Sequence, residues 1–163
     1  MHYLIDTNVP LAANGKSSAE PPCVLAAVQR LRQLQRGEVL VLDDSFLILK
    51  EYQNKLSPTG QPGVGDAFLL WAWRNHTNPQ HCELVTLELA DDGSFAAFPT
   101  DPALMAFDPS DRKFVAAART HPANPPIVNA TDTDWHKDHA ALAQNAVRIE
   151  FICPAEMARP RSV

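Results

Sequence analysis

The chain has 163 residues, of which 45% are hydrophobic and 20% charged, and its formal net charge is −5. That length gives one domain with a proper apolar core, and the composition is ordinary for a soluble globular protein. The acidity argues against a protein that coats nucleic acid by charge alone, and the apolar runs fall far short of a membrane span.

The opening His2-Tyr3-Leu4-Ile5-Asp6 reads as a short buried strand ending at Asp6. It lacks the cationic start and long apolar stretch of a signal peptide, so a cytoplasmic location without membrane contact is the expectation. Thr7-Asn8-Val9-Pro10 turns the chain, and residues 14–22, with Asn, Gly, Ser and two prolines, form a loop. From about 23 to 36, Val24, Leu25, Val28, Leu31 and Leu34 recur at helical spacing, with Gly37 placed to stop the helix.

Val39-Leu40-Val41-Leu42 is a second buried strand. Asp43, Asp44 and Ser45 offer caps for a helix over about 45–56. Residues 57–65 read as a flexible loop; the glycines Gly63 and Gly65 lack the rest of any phosphate-loop motif. A helix over about 66–76 carries Trp71 and Trp73. Two residues apart, they cannot share one face, so one belongs to the core and the other to an interface or a base stack.

Cys82 to Leu89 reads as a third strand, and 91–108 is mixed and proline-bearing, without an assigned element. Asp108-Pro109-Ser110-Asp111 opens a helix in the expected way, with Asp108 as cap and Pro109 at the first position; it runs through Phe114, Val115 and Ala118. Ile127-Val128-Asn129 is a fourth strand, Thr131–Asp134 its exit, and a helix near 138–146 leads to a last strand over Val147–Ile152. Strands alternate with helices throughout, and several strands are continuous apolar runs. The economical fold is a three-layer α/β/α sandwich with a mainly parallel central sheet. Residues 1–153 make a single domain and 154–163 a flexible tail. Cys23, Cys82 and Cys153 form no CxxC pair and no zinc spacing, and read as reduced thiols, mostly buried.

In a parallel α/β sheet, ligands gather outside the carboxyl ends of the strands. Asp6 and Asp132 lie just past strand ends, while Glu51 and Asp111 lie on helices that can face the same edge. Two like charges about 4 Å apart repel by roughly 4 kcal/mol at an effective dielectric near 20. Carboxylates that converge therefore either hold protons or share a hard divalent cation such as Mg²⁺ or Mn²⁺. Each has a plainer role as well: Asp6 as a turn residue, Glu51 on a solvated helix, Asp111 facing a helix dipole, and one of Asp132 and Asp134 as a cap. Among His76, His81, His121, His136 and His139 no metal spacing appears, and only His136 is near the proposed site.

Four segments, in order, resemble the PIN-domain nucleases: Leu4-Ile5-Asp6-Thr7-Asn8, the Phe46–Glu51 stretch, Asp108-Pro109-Ser110-Asp111 with the helix to Ala118, and Ile127–Trp135. The resemblance covers about residues 2 to 152. It implies an endoribonuclease whose Mg²⁺ or Mn²⁺ is held by Asp6, Glu51, Asp111 and Asp132, with Asp134 as an auxiliary ligand. Thr7, Asn8 and Thr131 would hydrogen-bond to those carboxylates, and Arg112, Lys113 and Lys137 lie where they can contact RNA phosphates. Many short members of that family are toxins of bacterial toxin–antitoxin pairs, so an antitoxin protein and a homodimer are the expected partners. This chain is longer than the compact toxins, mainly in 57–65 and 91–108, and it is acidic. The non-enzymatic alternative is a degenerate PIN-like module that binds RNA or protein. A phosphatase using an Asp nucleophile ranks low, because position 8 is Asn rather than a second Asp.

Overall fold

In the computed structural model, which describes residues 1–159, five parallel strands run in the order β3-β2-β1-β4-β5. They are β1 (His2–Ile5), β2 (Val39–Asp43), β3 (Cys82–Val85), β4 (Ile127–Asn129) and β5 (Ile149–Phe151). Helices α1 (Asn8–Ala13), α2 (Pro21–Gly37), α3 (Leu47–Lys55), α4 (Val64–Asn75), α5 (Arg112–Thr120), α6 (Thr133–Lys137), α7 (His139–Gln144) and α8 (Pro154–Met157) connect or cover them. The three-layer α/β/α architecture is the one the alternating pattern implies. Leu4, Ile5, Leu40, Val41, Leu42, Ile127 and Val128 are fully buried, as strands covered on both faces must be. No helix among the described residues is long and apolar enough to cross a membrane.

The strand order creates a crevice at one edge of the sheet. After β1 the chain moves to β2 and β3 on one side, then returns to add β4 and β5 on the other. The connections after β1 and β4 therefore leave in opposite directions and open a crevice at the carboxyl ends of two adjacent strands. Leu4 pairs with Ile127 and Ile5 with Val128, which brings the Asp6 and Asn129 positions level.

Several local expectations need correction. Residues 8–13 form a helix rather than a turn. Pro10 sits in its first turn, where its missing N–H would have no intrahelical acceptor anyway. The third strand stops at Val85, because β2 ends at Asp43 and turns away, leaving no ladder partner; beyond it only the Leu89–Phe95 bridge forms. The helix expected near 138–146 is two shorter ones, starting at Thr133 and broken at Asp138.

Residues 57–65 are not uniformly loose. Gly63 caps α4, and Gly65 lies against α1 so closely that a Cβ there would be 1.9 Å from the Pro10 carbonyl oxygen. Asp66 fastens this junction, accepting from the backbone N–H of Ser57 and Gly63 and from Asn14 Nδ2 at 2.9–3.0 Å. Those three donors hold its carboxyl below the ordinary value against the opposing effect of burial.

Two cysteines correct the reading of reduced thiols. Cys23 on α2 and Cys153 before α8 form a disulfide across a separation of 130 residues, and Cys82 stays free and buried. The expected loose tail is ordered at least to residue 159. Residues 154–157 form α8, and the buried Glu156 accepts from the Glu20 backbone N–H at 2.9 Å and from Arg159 at 2.8 Å. Positions 160–163 of that tail lie outside the described residues. Trp71 and Trp73 are both half-buried, Trp71 stacked on Phe68 and Trp73 packed against Phe46. The fully buried tryptophan is Trp135.

Candidate functional site

The crevice between the ends of β1 and β4 collects carboxylates from three segments. Asp6 follows β1, Asp132 caps α6 after β4, and Asp111 closes a 3₁₀ turn (Pro109–Asp111) at the head of α5. One oxygen of each lies within 4.8 Å of the other two, with Asp6 and Asp111 buried and Asp132 half-buried.

Each carboxylate is placed by local structure. The Asp6 backbone N–H donates to the Val128 carbonyl at 3.1 Å, continuing the β1–β4 ladder into the site. Asp6 Oδ2 accepts from Asn8 Nδ2 at 2.6 Å and from Trp135 Nε1 at 2.7 Å. Asn8 also donates to Asn129 Oδ1 at 2.8 Å, while its own Oδ1 accepts from the backbone N–H of Ala130 and Thr131. Asn129, fully buried, accepts the Asp132 N–H and donates to the Asp132 carbonyl, so its amide shapes the turn that presents Asp132. Asp132 in turn accepts the Asp134 N–H at 2.9 Å. It is thus both a helix cap and a member of the cluster, and the two roles weighed as rivals coincide. On the Asp111 side, Asp108 accepts the Ser110 N–H at 2.9 Å, the expected cap. Phe107 packs edge-on against Trp135 at 5.3 Å, tying this segment to α6.

Glu51 is next to this cluster but engaged differently. Its Oε1 pairs with Lys113 Nζ at 2.7 Å and its Oε2 accepts from the Thr7 hydroxyl. Tyr52, one residue on, donates to the Ile5 carbonyl at 2.5 Å and so fixes α3 against the end of β1. Among the described residues, neither Glu51 nor Asp134 belongs to the group whose ligand oxygens meet within 4.8 Å. Asp134 is half-buried in the first turn of α6.

Burial pushes Asp6 up to about 7, with the charges of Asp132 and Glu51 adding to the rise and the Trp135 and Thr7 hydrogen bonds opposing it. Burial likewise pushes Asp111 up to about 8, reinforced by Asp6, Asp132, Asp108 and Glu51. The fold therefore keeps acidic groups where their charge is unfavourable. Titratable groups held this way in a crevice make the cluster a candidate site.

The expected RNA-contacting cations fare differently. Arg112 is structural: its guanidinium donates to the carbonyls of Met105 and Phe107 and lies 4.7 Å over the Phe98 ring. Lys113 is held by Glu51, and Lys137 is exposed. His136 is exposed and packs edge-on against Phe151 at 5.8 Å. The residues that sequence reasoning passed over are Trp135, as a donor to Asp6, and Asn129, as the hinge of the Asp132 turn. Only the adjacency of β1 and β4 reveals either role. No family model, curated protein or solved structure matches this chain.

Proposed function

We propose that the protein is a divalent-cation-dependent endoribonuclease of the PIN-domain type, hydrolysing RNA phosphodiester bonds at the Asp6–Asp111–Asp132 cluster. The observation that carries this reading is the meeting of three carboxylates from distant parts of the chain within 4.8 Å, at the strand-order switch of a parallel sheet. The donor set is all oxygen and acidic, which fits Mg²⁺ or Mn²⁺ and not a soft ion. The raised Asp6 and Asp111 point the same way: without a cation they retain protons, and a cation would take the protons' place. The four-segment resemblance supports the same activity, since three of its acidic positions are the ones that meet.

A cation of this class supplies a polarised water and neutralises charge developing on the phosphodiester. Asp6, Asp111 and Asp132 would hold it. Asn8 and Trp135 fix the orientation of the Asp6 carboxylate, and Asn129 fixes the turn behind Asp132. Thr7 and Lys113 hold Glu51 at the rim, where its free motion is limited and its charge is offset by Lys113.

The Lys113–Glu51 pair also favours a second reading, a PIN-like binding module. A lysine already satisfies the fourth acidic residue, and it can receive a phosphate without chemistry. Two measurements decide. A labelled RNA oligonucleotide should be cut with Mn²⁺ present, and Asp6→Asn should abolish cutting while leaving the circular dichroism spectrum intact. Full cleavage by folded Asp6→Asn, against a clean parallel purification control, overturns the nuclease. Calorimetric titration of the wild type with Mn²⁺ should show heat that Asp6→Asn lacks; its absence in the wild type favours the module.

A further inference from the structure

At the opposite end of the sheet lies a second constellation, with different donor chemistry. His2 opens β1, Glu83 is the second residue of β3, and His121 follows the last turn of α5. The ladder explains why they meet. His2 is level with Val39 and Glu83 with Val41, and residues two apart on β2 share a face. His2 and Glu83 thus reach toward each other across β2 on the face where α5 ends. His2 Nε2 lies 2.9 Å from Glu83 Oε1, His121 Nε2 lies 2.7 Å from Glu83 Oε2, and the two imidazole centroids are 4.7 Å apart.

We infer that His2, Glu83 and His121 form a binding site for a borderline transition-metal cation of the Zn²⁺ class, separate from the acidic cluster. Two imidazoles and a carboxylate are the donors such an ion prefers, in contrast to the all-oxygen set at the other edge. One ligand atom of each residue lies within 4.8 Å of the others, so small side-chain movements bring all three onto one ion. His121 is nearly buried, with 6% of its side chain exposed, whereas His2 (27%) and Glu83 (42%) leave an open side where water completes the coordination. Metal binding has one specific obstacle. His121 Nδ1 accepts the Ala123 N–H at 3.0 Å, an arrangement that keeps the ring proton on Nε2. Ligation through Nε2 moves that proton to Nδ1, and the Ala123 amide must then turn away. The site is therefore weaker than one whose tautomer is set in advance, and it tightens the fold as it fills. The ion would staple β1, β3 and the end of α5. Asp111 precedes the other end of that helix, ten residues earlier or about 15 Å along its axis.

The test uses the full chain without an oligohistidine tag, Zn²⁺ as the probe, equilibrium dialysis for stoichiometry and a melting curve for stabilisation. The wild type should bind one equivalent of Zn²⁺ that depends on His2 and Glu83, besides any taken up by the acidic cluster, and melt higher with Zn²⁺. His2→Ala and Glu83→Gln should each weaken that equivalent by more than about tenfold and shrink the melting shift. Asp6→Asn should keep that equivalent and its share of the shift, because its defect is at the other edge. No Zn²⁺ uptake by the folded wild type overturns the inference. So does unchanged binding in whichever of His2→Ala and Glu83→Gln is folded, or loss of that equivalent in Asp6→Asn.

Discussion

Replacing Asp6 with Asn should make the metal-free protein more stable, and by an amount that depends on pH. Burial raises the Asp6 carboxyl from 3.8 to about 7, a shift of roughly three units and thus about 4 kcal/mol of unfavourable free energy once it is fully ionised. The sign follows from proton counts. Between the two values the folded state holds a proton that the unfolded state has lost, so the stability this group contributes is complete below about 4 and falls as pH rises toward 7. At pH 5 ionisation is mostly avoided in the fold and the penalty is roughly 1.5 kcal/mol, while at pH 8 nearly all of it applies. Asn is close in shape. Its carbonyl oxygen can take over as acceptor for Asn8 Nδ2 and Trp135 Nε1, and its amide presents donors to Asp111 and Asp132. Urea unfolding of both proteins in EDTA should therefore show Asp6→Asn ahead at pH 8, with its advantage over the wild type about 2.5 kcal/mol smaller at pH 5. Added Mn²⁺ should raise the wild-type midpoint at pH 8 and leave the variant unmoved. An Asp6→Asn protein equally destabilised at both pH values would refute the reasoning, because it would mean that the carboxylate is held by favourable interactions rather than against unfavourable ones.

Two further outcomes test how the site is supported. Gly65→Ala drives a Cβ to 1.9 Å from the Pro10 carbonyl oxygen and 2.9 Å from Asn14 Oδ1, so α1 and α4 must separate; a loss of about 3 kcal/mol in urea unfolding is expected, with Gly37→Ala, which meets nothing within 4 Å, as the near-neutral control. Opening the Cys23–Cys153 disulfide, by a reductant or as Cys23→Ser with Cys153→Ser, releases a link across 130 residues and should lower stability by up to about 5 kcal/mol, read as a fall in the urea midpoint; an unchanged midpoint would show that the crosslink does not constrain the unfolded chain.

The sequence disclosed what depends on neighbours within a few residues. The apolar run ending at Asp6, the Asp108 cap before Pro109 and the helical spacing of Val24, Val28, Leu31 and Leu34 all act locally, and the elements they imply are present. Pairings set by chain return were not legible. Lys113 meets Glu51 across 62 residues, Trp135 meets Asp6 across 129, and Cys23 meets Cys153 across 130. Nothing in the local pattern around Cys153 distinguishes a bridged cysteine from a buried thiol. The same holds for His121. Its sequence neighbours carry no ligand spacing, and its proximity to His2 follows from the register of β1, β2 and β3. The misread first helix has a different cause. Thr7-Asn8-Val9-Pro10 reads as a turn, yet within the first helical turn a proline removes no intrahelical hydrogen bond.

Why the acidic cluster should be costly to maintain becomes clear from what surrounds it. Asn8 spends all of its side-chain hydrogen bonds on Asp6, Asn129, Ala130 and Thr131, and Asn129 is buried without any exposure in order to hold the Asp132 turn. Those amides carry no charge of their own. The Asn8 hydrogen bond eases the charge on Asp6 only in part, and rigid placement of like charges raises the free energy of the metal-free fold. A scaffold with no use for the charges would be more stable with Asn or Ser at positions 6 and 111. Keeping aspartates there, pressed together by neutral hydrogen-bonding groups, makes physical sense when a cation supplies the missing attraction. Glu51 fits the same logic from the other side. It is the acidic neighbour that already has its cation, in Lys113, and it stands apart from the group of three.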